Sequence, residues 1–235
     1  MNSWSLTIGV LLAIAFAGCD DVPKHDKMFP LGDGRTWTYH VITDYEGLKP
    51  VSTEMTITSH GADNLSGEKA WRRRADTGFN YWIKSDPSGV FRVASKHALD
   101  LKVVLDDEPR YVLKQPYVKG TKWSANTTSY MLQRRNEVPK RVSTTHKSFI
   151  MNYRIEKTDV QLETPAGKFD GCLEVVGISK LYLWVDLEFG FRNMPLTTRE
   201  WYCPDVGLVR LERLEPSPSR FMIGGKKTFE LIDWQ

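Results

Sequence analysis

Helical periodicity is missing from this sequence: no stretch keeps apolar residues at helical spacing over three turns. Catalytic motifs are missing too. There is no G-x-S-x-G, H-E-x-x-H, C-x-x-C or phosphate-cradling G-x-x-x-x-G-K. Ser66-Gly67-Glu68-Lys69 matches S-x-x-K by letters alone, because it falls in a turn-rich loop instead of at a helix start. His25, His40, His60, His97 and His146 stand singly, with no pair two or four apart to share a metal. These gaps leave no catalytic residue, no metal ligand set and no cofactor site to assign. Charge of one sign is also scarce: 32 Lys and Arg against 29 Asp and Glu give a net +3, too mild for a nucleic-acid partner. The short clusters Arg72-Arg73-Arg74, Arg134-Arg135 and Lys226-Lys227 read as solvated faces, with contact to anionic headgroups as the sharper alternative. Asp106-Asp107 and the pair Asp186 and Glu188 read as solvated acids before any cation site.

One long apolar run is present, Leu6 to Phe16, and it is shorter than the ~20 residues a spanning helix needs. It closes on Ala17-Gly18-Cys19-Asp20-Asp21, where two small residues can enter a peptidase cleft and the thiol can carry a diacylglyceryl group. This stretch resembles the lipobox of bacterial lipoproteins, with Phe16 where Leu is usual and no Lys or Arg in the first five residues. The resemblance implies cleavage after residue 18, acylation of Cys19 and attachment to a bilayer through two or three acyl chains, palmitate among them; an ordinary signal peptide is the alternative. Acids directly after the anchor resemble an inner-membrane retention signal, so the periplasmic face of the inner membrane is expected over the outer membrane. Residues 19–28 then form a short polar tether, and residues 29–235 a single body.

Only three cysteines occur in the chain, and assigning Cys19 to lipid leaves Cys172 and Cys203 in an oxidising compartment where disulfides persist. The segments Gly171–Lys180 and Pro195–Tyr202 both read as strands, and antiparallel pairing about a turn near Glu188–Phe191 would bring the two thiols together. A disulfide and a pair of free thiols both remain open.

The body reads as β throughout. A strand is expected after the turn at Phe29–Gly34, continuing through Val41 and Tyr45 to a hairpin loop at Tyr45–Pro50. Glu54–Ser59 alternates Thr with Met and Ile, Gly61–Gly67 is polar and turn-rich, and Lys69–Arg74, Phe79–Lys84 and Gly89–Ser95 are short runs split by turn clusters. Leu99, Leu101, Val103 and Leu105 alternate with period two, and Asp106-Asp107-Glu108-Pro109 is expected to end that strand before Tyr111–Lys114. Gln133–Ser148 is polar and basic and is expected to be a long exposed loop. Strand signals return at Phe149–Ile155, Val160–Glu163, Gly171–Lys180, Leu181–Phe189, Leu196–Tyr202 and Leu208–Leu214. A final hairpin, Phe221–Ile223 with Thr228–Ile232, is expected over Gly224-Gly225. The fold class is therefore all-β, an antiparallel curled sheet closing into a full or partial β-barrel, with a two-sheet β-sandwich as the alternative.

Tryptophan is abundant: Trp37, Trp71, Trp82, Trp123, Trp184, Trp201 and Trp234 follow the leader. Pro30, Gly34 and Trp37 recur at the same spacing as Pro116, Gly120 and Trp123, which reads as a turn feeding a strand whose Trp plugs the core, a duplicated half-domain being the other reading. Trp82, Trp184 and Trp201 are the candidate ligand or partner contacts, since Trp82 and Trp184 fall on the face opposite their aliphatic neighbours Ile83 and Val185.

Phe29-Pro30-Leu31 with Gly34 and Trp37-Thr38-Tyr39, and later Glu163-Thr164-Pro165-Ala166-Gly167-Lys168-Phe169 with Cys172-Leu173-Glu174-Val175, Trp201-Tyr202 and Val206-Gly207-Leu208-Val209, resemble a widespread group of bacterial envelope lipoproteins of unknown function. That resemblance implies a curled β-sheet domain distantly similar to the half-barrels that carry lipoproteins and lipids across the periplasm, and it brings no catalytic residues. The expected function is a non-enzymatic, membrane-anchored binding or accessory domain offering an apolar, aromatic concavity to a lipid, an acyl chain or a partner segment. Its rival is a structural subunit of an envelope assembly, pairing through an edge strand such as Thr228–Ile232. A hydrolase is a third reading, which a buried carboxylate or histidine of displaced pKa in a cleft would favour.

Overall fold

Twelve antiparallel strands form one curled sheet in the computed structural model, which describes residues 26–135, 148–217, 219 and 221–235, without the side chain of residue 186. The leader, Cys19, the first part of the tether and most of the basic 133–148 segment lie outside the described residues. The strands are β1 (Thr36–Tyr45), β2 (Val51–Leu65), β3 (Glu68–Ala75), β4 (Asn80–Asp86), β5 (Gly89–Lys96), β6 (Val104–Lys114), β7 (Lys122–Thr127), β8 (Gln133–Arg134), β9 (Phe149–Thr164), β10 (Gly167–Asp186), β11 (Gly190–Cys203), β12 (Gly207–Glu215), β13 (Met222–Ile223) and β14 (Gly225–Trp234).

In space the order runs β6-β5-β4-β3-β2-β1-β14-β12-β11-β10-β9-β7, and β8 pairs with β13 apart from this sheet. The two edges, β6 and β7, are consecutive in the chain and face one another without a backbone ladder. The Arg110 guanidinium bridges them by donating to the Asn126 carbonyl. The architecture is a partial barrel; the sandwich alternative does not apply.

Alternation decides the inner face. Met194, Leu196, Thr198, Glu200 and Tyr202 of β11 point inward with Val175 of β10 and Met151, Tyr153 and Ile155 of β9, and all are buried. Gly177 also lies on the inner face of β10, where a Cβ would stand 2.8 Å from the Tyr153 ring and 2.6 Å from Thr198. Glycine is the residue that lets that ring lie against the sheet. The repeated Pro-Gly-Trp device takes the same form twice. Gly34 and Gly120 adopt φ of 73° and 94°, which only glycine holds without strain, and Trp37 and Trp123 follow as the buried second residues of β1 and β7.

Several expectations are corrected. Leu99 and Leu101 are 95% and 99% exposed in a bend, because their alternation has no neighbouring strand to pack on. The strand begins at Val104 instead and continues beyond Asp106–Pro109, where the ladder with β5 is interrupted between the pairs Leu105–Ala94 and Arg110–Arg92. Asp106 is held there by Arg92 of β5 at 2.6 Å, and Pro109 is tolerated because β6 is an edge. The expected final hairpin does not form. Met222–Ile223 pairs with Gln133–Arg134, and β14 inserts between β1 and β12. Thr228–Ile232 therefore lies in a central strand, with Thr228–Glu230 paired on both sides, and is not an edge for β-augmentation. Where the sequence suggested four short strands, β9 and β10 are continuous, 16 and 20 residues long, and bulges at Cys172 and Asp159 bend them instead of ending them.

The described end of the tether belongs to the body. The Asp26 carboxylate accepts from the Tyr117 hydroxyl and from the Met28 amide, and the Lys27 carbonyl accepts from Asp205 N–H at 2.7 Å. Just beyond, the buried Arg73 guanidinium lies between the Phe29 and Trp37 rings, 3.9 and 4.2 Å from their centroids, and donates to the Pro30 carbonyl at 2.5 Å. Burial brings its pKa down to about 10, so the cation persists and clamps the entry segment.

Candidate functional site

The long strands β9, β10 and β11 turn their outward residues into an apolar face that nothing described covers. Register aligns Ile178 of β10 with Asn152 of β9 and Thr197 of β11, Tyr182 with Asn193, and Trp184 with Phe191. Ile150, Ile178, Tyr182, Trp184 and Phe191 thus share one side of the sheet, with exposures from 38% at Trp184 to 64% at Tyr182. Tyr182 and Phe191 stack at 5.2 Å between centroids with planes 20° apart. Arg134 braces Trp184: its guanidinium lies 5.0 Å from the indole centroid and donates to the carbonyls of Trp184 and Val185 at 2.8 and 3.0 Å. The alternating Leu181, Leu183 and Val185 pack inward. That inner packing is what holds the outer rings in place.

The three tryptophans proposed as contacts separate. Trp184 belongs to this face. Trp82 also points outward, but Leu65, Val93 and Val103 pack around it with Ala70 and Ala94, and its N–H donates to Asp63 at 3.1 Å. Trp201 is buried beside Arg210, 5.9 Å from its guanidinium. Neither Trp82 nor Trp201 offers a ring face to a ligand. Cys172 and Cys203 form a disulfide, S–S 1.97 Å, inside a cluster that includes Trp37, Val206, Val209 and Leu231. Cys19 lies outside the described residues.

The barrel interior is not the apolar concavity the sequence suggested. Side chains from both halves of the sheet meet across it, and it contains a charged network that sequence reading missed. Glu215, fully buried, receives the Ser129 hydroxyl at 2.6 Å, the amides of Tyr130, Met131 and Leu132, and Arg213 Nε at 2.7 Å. Arg213 also reaches the Met151 sulfur and lies 4.9 Å from the Tyr130 ring. One strand away, Glu200 accepts from the Tyr202 hydroxyl at 2.6 Å and from Thr198 at 3.2 Å. The signal for both was a polar residue at period two inside an otherwise apolar alternation: Thr198-x-Glu200-x-Tyr202 and Arg213-x-Glu215.

Burial pushes the Glu200 carboxyl above the usual carboxylate range, and the Tyr202 hydroxyl and the Arg110 and Arg213 charges only partly offset this. The interior prefers the neutral acid. Glu200 therefore contributes stability that is fully present below the ordinary carboxylate pKa and is lost as pH rises through its raised folded value. Glu200→Gln, permanently neutral, is expected to gain stability relative to the native protein as pH rises from about 4 to about 8. Urea titrations at the two pH values check this; an unchanged difference between them would mean that Glu200 ionises as it would in water. One cleft among the described residues, about 470 Å³, lies along β3 to β6 against Glu68, Lys69, Trp71, Lys84 and Phe91, and Glu200 is not among its lining residues.

No family model and no curated protein matches the chain. Two solved structures are similar at a distance. One is a candidate lipoprotein from Parabacteroides distasonis ATCC 8503, 15% identical over 90% of this chain and 99% of its own, with a TM-score of 0.39. The other is a candidate exported protein with a YmcC-like fold from Bacteroides fragilis NCTC 9343, 14% identical over 88% of this chain and 98% of its own, with a TM-score of 0.37. Neither likeness is close enough to carry a residue's role across.

Proposed function

We infer that the chain is a lipoprotein of the bacterial cell envelope, anchored through acylated Cys19, whose β body is a non-enzymatic binding or accessory domain. The observation that carries the binding role is the exposed, stacked aromatic face of β9 to β11, standing on a sheet whose other side is packed. Large apolar faces on folded proteins mark interaction sites. The disulfide suits an oxidising compartment. With Asp26 fixed to the body, at most seven chain steps separate it from Cys19, a reach of about 25 Å, so the domain stays beside the bilayer that holds its acyl chains.

Mass spectrometry of the N-terminal peptide from envelope protein tests the anchor. A chain beginning at Cys19 with diacylglyceryl and an amide-linked acyl group is expected, and Cys19→Ala is expected to abolish incorporation of a labelled palmitate. A chain starting elsewhere, or unmodified at that sulfur, overturns the assignment.

A further inference from the structure

We propose that the outer face of β7, β9, β10 and β11 rests on an anionic bilayer surface, so that the domain lies on its side against the membrane that anchors it. This rests on the lipoprotein reading above and specifies the partner of its exposed face.

Charge complementarity selects the partner. Across this face, residues 122–126, 149–156, 174–184 and 191–199 carry two acids, Glu156 and Glu174. Both are already neutralised: Glu156 by Arg154, and the buried Glu174 by Lys157 at 2.9 Å and Arg199 at 3.4 Å. Lys122 and Lys180 have no acid partner among the described residues of the face, and Glu188 in the turn beyond is itself engaged. The surface therefore presents uncompensated cations among aliphatic and aromatic side chains. Anionic headgroups attract the first, and the interfacial layer accommodates Trp and Tyr, whose rings are apolar and whose N–H and O–H need water or headgroup partners.

The path of the chain permits the posture. Asp26 is held by Tyr117 in the loop that leads into β7, and in that loop Gly120 N–H donates to the Ile155 carbonyl of β9. The tether therefore leaves the body beside the pair Lys122 and Arg154, at the cationic end of the face. From there to the pair Trp184 and Phe191 is eight residues along β9 and β10, about 27 Å at strand rise. A reach of about 25 Å from Asp26 lets the acyl chains of Cys19 enter the same leaflet on which the aromatic end lies.

The test uses the acylated full chain, purified from envelopes and reconstituted in phosphatidylethanolamine vesicles with or without phosphatidylglycerol. An environment-sensitive dye is placed at Asn193→Cys, on this face directly opposite Tyr182, or at Arg74→Cys, on the outward side of β3. With Cys19 acylated and Cys172 bonded to Cys203, the introduced thiol takes the label. Spin-labelled lipid is expected to quench the dye at 193 several-fold more than at 74 in anionic vesicles. That excess is expected to fall when phosphatidylglycerol is omitted, and when Lys180→Glu is combined with Tyr182→Ala. Equal quenching at both positions, in protein that still floats with the vesicles, overturns the docking proposal and leaves the anchor standing. Protein that fails to float overturns the anchor itself. A photo-crosslinker at position 193 that captures a stoichiometric protein in cells, and not lipid, also overturns the docking proposal.

Discussion

Glu215→Ala is expected to cost about 3–5 kcal/mol, because it breaks a buried ion pair from one side. The carboxylate neutralises Arg213 and ties down the Ser129–Leu132 segment through a hydroxyl and three amides. Removing it leaves a buried guanidinium and several donors without an acceptor. Burial alone would push the Glu215 carboxyl up, but the Arg213 charge and the bonds from Ser129 and Tyr130 outweigh burial and hold it below the usual range. Its contribution is thus present above the ordinary carboxylate pKa and is lost as pH falls through the lowered folded value, the reverse of Glu200. Urea unfolding at neutral pH, followed by tryptophan fluorescence, measures the cost. A loss below about 1 kcal/mol would mean that Arg213 finds other partners or water.

The second large effect is expected from Cys172→Ser with Cys203→Ser. The bridge spans a sequence separation of 31, for which the loop-closure relation gives about 3–4 kcal/mol. Both sulfurs are buried in the cluster around Trp37 and Leu231, so the new hydroxyls would also need partners there. The double variant is expected to lose that much unfolding free energy, read as a lower urea midpoint at unchanged slope, and to be indifferent to dithiothreitol. The native protein in dithiothreitol is expected to fall to the same midpoint. A native midpoint unmoved by reduction would show that the bond adds nothing to stability.

Period two revealed most of the strands, because alternation is a local property and the sheet buries one side of nearly every strand. The Pro-Gly-Trp device was equally legible: a turn residue, a left-handed glycine and a plug lie within eight positions of one another. What the sequence withheld was order across the sheet. Nothing near Thr228–Ile232 says that the last strand sits between the first and the twelfth, so a terminal strand was taken for an edge. The same blindness explains the tryptophans. Trp82 and Trp184 have the same alternation with their neighbours, but one is roofed by Val103 from a distant bend and the other is left bare. Leu99 and Leu101 show the reverse error, a regular pattern with no neighbour to give it meaning. Glu200 and Glu215 were passed over because an acid in a strand is ordinarily read as facing water, and only register shows that these two face in.

The central position of β14 has a consequence for how the sheet assembles. It follows every other described strand in the chain, yet its ten residues join the two meanders, pairing with β1 on one side and β12 on the other. Without it, each half exposes a long unsatisfied border, so the sheet is completed only when β14 docks between β1 and β12. A chain clipped ahead of Gly225 would not be a slightly shortened protein; it would be two sheets with no strand between them.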